Sequence, residues 1–342
     1  MRIAARSRKR AVWWIRKVGS GSEERGKTAA LLLTRSPLFD PDMNLALKID
    51  VDTYRGTREG VPRLVETLQR HNAQATFFFS LGPDHTGRAI KRVFRPGFLG
   101  KVSRTSVVEH YGIKTLLYGT LLPAPDIGRK CAAIMRGVRD AGFEVGIHCY
   151  DHIRWQDYVA GKGAEWTRRE LQRAVDRYTE IFGEAPHAHA AAGWQTNRHA
   201  LRLTQRMGFD YSSDTRGTRP FIPTWQAEIV ACPQLPTTLP TLDELMNRDG
   251  ITPDNIAQLI LQLTEKPPAS GHVFTLHAEL EGGKLLPIFE QLLRGWQAQG
   301  YELVSLQQYL QGLDAGALPR HEVVMREVEG RSGKLAVAAE AL

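Results

Sequence analysis

Apolar positions along the chain fall into two alternating patterns. Leu45-Ala46-Leu47-Lys48-Ile49-Asp50-Val51 is a short, nearly continuous apolar run, as expected of a strand covered on both faces. Val61, Leu64, Val65 and Leu68 then recur at the spacing of a helix with one buried stripe. Ala75 to Phe79 predicts a second strand and Phe143 to Ile147 a third, followed by a helix carrying Leu171, Ala174, Val175, Tyr178 and Ile181 on one face. Further strands are predicted at His187 to Ala191, Phe209 to Ser213, Ile229 to Ala231, Val273 to His277 and Tyr301 to Val304. A helix bearing Leu285, Phe289, Leu292, Leu293 and Trp296 lies between the last two. Such alternation implies an α/β fold on a parallel sheet, and seven or eight units suggest a closed or distorted (β/α) barrel. A doubly wound open sheet is the alternative, although no glycine-rich phosphate fingerprint follows the first strand.

Charge refines the domain picture. The 342 residues carry a net charge of +8. Residues 1–27 contain nine Lys or Arg against only Glu23 and Glu24, so the rest of the chain is close to neutral and gives no support for a nucleic-acid partner. We therefore expect a basic extension over 1–43, disordered or lying on a membrane surface, and a catalytic domain over 44–312. After Leu313 the weak periodicity predicts a mobile tail. The apolar stretch Ala11 to Ile15 is too short for a signal-peptide core or a membrane span. Cys131, Cys149 and Cys232 are odd in number and widely spaced, which fits a reducing compartment better than a disulfide framework.

Strand ends carry the candidate chemistry. Asp50 and Asp52 stand one residue apart where the first strand runs into the turn Thr53 to Gly56. Taken alone, an Asp-x-Asp reads as well as two solvated turn residues, but in a dry pocket the pair would call for a cation or a shared proton. His148 and His152 follow another strand at a spacing that lets one helical turn offer two imidazoles to one ion. With one carboxylate they make an open three-ligand site for a divalent metal. His277 closes an apolar strand, and Asp214, at the end of Phe209 to Ser213, is an available partner to hold its tautomer and raise its pKa.

In this order, Asp50-Val-Asp52, His148-x-x-x-His152, the Gly193-Trp194 turn, Asp214 and the strand ending at His277 resemble the NodB-homology polysaccharide deacetylases, metal-dependent amide hydrolases on a distorted barrel. Ile49 to Arg63, Ala190 to Trp194, Tyr211 to Gly217 and Thr275 to Glu279 are most similar to the family's deformylases, which act on 4-deoxy-4-formamido-L-arabinose carried by undecaprenyl phosphate. The resemblance covers roughly residues 44 to 312. It implies Asp50 as base, Asp52, His148 and His152 as ligands of zinc, manganese or cobalt, and His277 with Asp214 as the acid. The roles of Asp50 and Asp52 are assigned by order and could be exchanged. A backbone N–H between Ala191 and Gly193 is expected to help hold the oxyanion. The family's third motif supplies an arginine to orient the base, but this chain reads His189-Ala-Ala-Ala-Gly193 there, leaving His189 or Arg216 to take its place.

Substrate contacts are expected from Arg55, Arg58, Gly193, Trp194 and Arg216, with Arg55 and Arg58 on the phosphate. Arg88 to Arg104 holds six basic residues and no acidic one, which suits anionic lipid headgroups as well as a solvated helix. The resemblance thus implies a peripheral enzyme at the cytoplasmic face of the inner membrane, serving lipid A modification and cationic-peptide resistance. A deacetylase of another N-acylated sugar and, in a different class, a non-catalytic lipid-binding module are the alternatives.

Overall fold

The computed structural model describes residues 43–89, 112–246 and 248–339. The basic extension before Met43 and most of the basic segment 88–104 lie outside the described residues. Seven parallel strands form the main sheet: β1 (Asn44–Val51), β2 (Thr76–Ser80), β3 (Glu144–Cys149), β4 (Ala188–His189), β5 (Tyr211–Ser212), β8 (His272–His277) and β9 (Glu302–Val304). The spatial order is β5-β4-β3-β2-β1-β8, with β9 also pairing β1. Residues 233–238 run between the two edges: Leu235 N donates to Ser212 O, and Thr238 N donates to Val273 O. This segment curls the sheet toward closure, in keeping with the distorted barrel expected from the alternating pattern.

Parity along the strands separates two cores. Leu45, Leu47, Ile49 and Val51 pack outward with Phe77, Phe79, Ile147, Phe274 and Leu276 beneath the helices. Ala46 faces inward with Phe78, Ala188, Ala190, Tyr211 and Val273. Because successive strand side chains alternate, Lys48, Asp50 and Asp52 continue the inward row. Every residue of β1 is buried, which accounts for its nearly continuous apolar pattern apart from Asn44, Lys48 and Asp50.

The predicted turn after Asp52 is helical instead. Gly56–Gly60 forms a π-helical turn that leads into the helix Val61–Arg70. A Cβ on Gly56 would lie 2.0 Å from Glu279 Oε1, and one on Gly60 would lie 2.0 Å from Ala278 O. The two glycines let this segment press against the end of β8, which a larger residue would prevent.

Beyond Leu313 the structure corrects the mobile tail. β10 (Arg320–Glu327) and β11 (Lys334–Ala338) form an antiparallel pair, and β10 also pairs in parallel with β6 (Ile222–Trp225), itself paired with β7 (Glu228–Ile229). β11 is tied to the barrel, since Arg216 N donates to Ala336 O and Ala338 N donates to Arg216 O. His321, Val323, Leu335 and Ala336 are buried by this pairing. Alternation in β10 is diluted by charged residues, which hid the strand from pattern analysis.

Candidate active site

Strand register assembles the site. Asp50 on β1 is paired directly with His277 on β8, so base and acid candidates share one rung of the sheet. Asp52 lies just beyond β1, His148 lies near the end of β3, and His152 opens the helix His152–Tyr158. The two histidines thus come from a strand and a helix start rather than one helical turn. Asp151 caps that helix by accepting from Arg154 N, which fixes the step between them. Their rings stack with centroids 5.3 Å apart.

The donor atoms converge. Asp52 Oδ1 lies 3.2 Å from His148 Nε2 and 3.4 Å from His152 Nε2. One ligand atom from each of the three falls within 4.8 Å of the others, and among the described residues this is the one such group. Burial alone would push the Asp52 carboxyl up, but the charges of His152 and His148 hold it well below the usual carboxylate range. Two imidazoles and one ionised carboxylate brought together in this way fit a divalent cation.

Asp50 sits beside this triad. Its Oδ1 is buried without a hydrogen-bond partner and lies 3.7 Å from His148 Nδ1, while its Oδ2 lies 3.3 Å from Lys48 Nζ. Lys48 is fully buried. Its ammonium donates to Ser213 O at 3.1 Å and lies 5.1 Å from the centre of the Trp194 ring. Burial pushes the Lys48 pKa down, and the Asp50 charge opposes that shift. Lys48 therefore occupies the position expected of His189 or Arg216. The signal was available, because a lysine inside a buried apolar strand requires an anionic partner, and position i+2 shares its face.

The two residues expected in that place are engaged elsewhere. Arg216 is buried against Glu244 and also donates to Leu239 O. His189 Nδ1 lies 2.8 Å from Asp214 Oδ1, and both residues are fully buried. The expected Asp214–His277 pair is thereby corrected. His189 packs on the outer side of the sheet against Trp155 and Phe209, and Asp214 also accepts from Ala191 N and Gln234 Nε2. Parity decides the matter: Ala188, Ala190 and Tyr211 face inward, so His189 and Asp214 meet outside. Since the Ala191 N–H is committed to Asp214, it is not the oxyanion donor expected in that turn.

His277 faces Asp243, from the helix Leu242–Met246, with 3.9 Å between Nδ1 and Oδ1. Its backbone N–H donates to Glu281 Oε2 at 2.8 Å. Burial would lower the imidazole pKa, but Asp243, Asp52 and Glu281 outweigh it and opposing Arg331, leaving His277 above its ordinary value of 6.5. Glu281 is itself pushed up to about 7 by burial. Glu279 accepts from Asp52 N, Thr53 N and Thr53 Oγ1 and so pins the loop that carries Asp52, the candidate metal ligand. Sequence reasoning left Asp243, Glu279 and Glu281 without roles. Their places depend on loop paths that periodicity does not describe.

The Gly193-Trp194 turn is left-handed at both residues, with φ of +61° and +50°. Trp194 is buried, donates from Nε1 to Thr237 Oγ1 at 3.1 Å, and lies edge-on to His277 with ring centroids 6.5 Å apart. Arg55 pairs with Glu59 at 2.9 Å, and Arg58 pairs with the same carboxylate at 2.6 Å. Arg55 also lines a recess of about 170 Å³ with Glu59, Arg63, Glu279 and Lys284.

Comparison with known proteins fits this geometry. The polysaccharide deacetylase family model matches residues 42–212. A curated relative from Shewanella sediminis, "Probable 4-deoxy-4-formamido-L-arabinose-phosphoundecaprenol deformylase ArnD", is 40% identical over 85% of this chain and 93% of its own length. The chain belongs to the polysaccharide deacetylase family. A relative of the same name from Wigglesworthia glossinidia brevipalpis is 30% identical over 82% of this chain and 97% of its own. A solved structure from Mycobacterium smegmatis, named provisionally as a polysaccharide deacetylase, shares the fold with a TM-score of 0.58 at 17% identity, over 83% of this chain and 94% of that one. The family match stops at Ser212, so Asp243, His277 and the strand pair β10–β11 all lie beyond it.

Proposed function

We propose that this deacetylase-family chain hydrolyses the formamide of 4-deoxy-4-formamido-L-arabinose linked to undecaprenyl phosphate, releasing formate and the free 4-amino sugar. The observation that carries this reading is the in-register Asp50 and His277 beside the converging Asp52, His148 and His152, in a chain 40% identical to the Shewanella deformylase. A divalent cation, which Asp52, His148 and His152 would hold, would supply Lewis acidity toward the formamide carbonyl and acidify water. Zinc, manganese and cobalt all suit this donor set.

The chain's own residues do the rest. Asp50 Oδ1 takes the proton from the attacking water, while Lys48 holds Oδ2 and so fixes the direction of the carboxylate. His277, kept protonated chiefly by Asp243, gives a proton to the departing sugar amine. Trp194 walls the inner side beside His277 and, with Lys48, excludes water from behind the base. Arg55 and Arg58, both paired with Glu59 beside the loop that carries Asp52, are our candidates to meet the substrate phosphate. The recess lined by Arg63 and Lys284 adjoins Arg55 and shares Glu279 with the loop below the metal ligands. Gly193 gives that wall its left-handed turn, and Arg216, from its pair with Glu244, supports the indole from 5.1 Å.

This reading places the chain at the cytoplasmic face of the inner membrane, peripheral to an anionic surface and acting in lipid A modification and cationic-peptide (polymyxin) resistance. Among the described residues no helix is long and apolar enough to cross a membrane. The family match favours a second reading, deacetylation of another N-acylated sugar. One assay separates the two: formate and acetate release are measured from the lipid-linked formamido sugar and its acetamido analogue, with and without chelator. Formate release that a chelator abolishes and zinc restores is expected. Acetate as the faster product would replace the first reading with the second.

A further inference from the structure

The strand pair β10–β11, outside the family match, carries Arg331 in its connecting turn to the rear of the candidate proton donor. Arg331 grips Asp243 with both guanidinium arms, Nη1 to Oδ2 at 2.8 Å and Nη2 to Oδ1 at 3.1 Å. Its Nε donates to Glu244 Oε1 at 2.8 Å, its Nη2 also reaches Thr241 Oγ1, and its guanidinium carbon lies 4.8 Å from the centre of the Trp194 ring. A planar fork held on two carboxylates and a ring fixes direction as well as charge. Asp243 Oδ1, one of the gripped oxygens, is also the atom that faces His277 Nδ1 at 3.9 Å.

The turn is itself seated against the same helix. Gly330 has φ of +85°, and a Cβ there would come within 2.5 Å of Glu244 O. β11 is anchored through Arg216, whose side chain donates to the same Glu244 oxygen, Oε1, that Arg331 Nε reaches. Two arginines from different elements thus clamp the Asp243-Glu244 pair. Arg216 comes from the barrel and Arg331 from the C-terminal strands.

We propose that Arg331 is a positioning residue for His277, acting through Asp243, and that the C-terminal strand pair is consequently a working part of the catalytic site. This rests on the assignment of His277 as proton donor. The charged groups facing His277 are Asp243, Asp52, Glu281, Glu279 and Arg331 itself, and the opposite signs of Asp243 and Arg331 make the test decisive. If Arg331 were only a nearby cation, its removal would raise the His277 pKa. If it holds Asp243 in place, its removal lets that carboxylate turn away, and the His277 pKa falls by about one unit, the usual scale for one opposite charge within ~4–6 Å.

The experiment follows the His277 imidazole by NMR across pH in zinc-loaded wild type, Arg331→Ala, Arg331→Lys and Asp243→Asn, with Arg331→Ala/Asp243→Asn to close the cycle. A fall in Arg331→Ala, a smaller fall in Arg331→Lys and no further fall in the double variant are expected. A rise or no change in Arg331→Ala, in protein that retains its zinc and its fold, would overturn the proposal. In parallel, formate release should show kcat lower by about 10²-fold, the scale of a small misplacement, with KM unchanged. A loss confined to KM would also overturn it. Wild type that titrates as expected yet releases no formate would count against the proposed substrate and leave the NMR result to decide the role of Arg331.

Discussion

Two histidine–aspartate pairs lie a few strands apart and are built to opposite specifications. His189 and Asp214 meet at 2.8 Å on the outer side of the sheet, with both side chains wholly excluded from solvent and Asp214 accepting two further hydrogen bonds. His277 and Asp243 stand 3.9 Å apart on the inner side, and the Asp243 side chain is 30% exposed. The first pair is sealed from solvent, although His189 Nε2 has no hydrogen-bond partner. The second is open: His277 Nδ1 makes no hydrogen bond, and the metal-ligand cluster lies nearby. A sealed pair can only hold the fold together, whereas a loose pair can change protonation during turnover.

The strongest way to break this comparison is to remove each histidine's function in turn. His277→Ala should reduce turnover by about 10²–10⁴-fold, the usual worth of a general acid, while zinc content by elemental analysis stays at wild type. Asp50→Asn should do the same. Retention of near wild-type rates in either would remove that residue from the chemistry. On the outer pair, Asp214→Ala should cost about 3–5 kcal/mol of unfolding free energy, because it leaves buried partners uncompensated. Denaturant titration measures that cost, and the rate per folded, metal-loaded molecule should change little. A selective loss of rate there would restore Asp214 to the acid.

Smaller effects sharpen the picture. Lys48→Met should lower kcat by about 10²-fold through misdirection of Asp50, and Lys48→Arg should recover most of it; equal loss in both would mean that Lys48 does more than hold a charge. The pH profile gives the finest test. His277 must be protonated to act, and its pKa is raised above 6.5, so turnover should fall as pH rises through that raised value. Asp243 is the largest support of that shift, and a divalent metal held by Asp52 would offset the share of Asp52. Asp243→Asn should then move the alkaline limb toward acid by about one unit. An unmoved limb would show that Asp243 does not tune His277.

Much of the site was legible because it sits at strand ends. Asp50, Asp52, His148, His152 and His277 each close or follow an apolar run, and in a parallel sheet those ends converge whatever the loops do. What pattern reading missed has two causes. Asp214 was given to His277 because sequence order suggested it, whereas the parity of β4 and β5 turns it outward to His189. Asp243 and Arg331 come from a short helix and from the turn of a strand pair with weak alternation, so no periodicity marks them.

The sequence alone thus determined the alternating architecture and the strand-end placing of Asp50, Asp52, His148, His152 and His277, since these follow from local period, whereas the rung shared by Asp50 and His277 came from the pairing of β1 with β8. Lys48 as the holder of the base lies between the two cases. Its burial was implied by its strand, but Trp194 and Ser213 complete the cage only when three distant segments meet. The partner of His277 was decided by tertiary structure. Hydrogen bonds and ion pairs select among candidate groups by distances of a few ångströms, and loops and the C-terminal strand pair set those distances through contacts 87 to 90 residues apart in sequence.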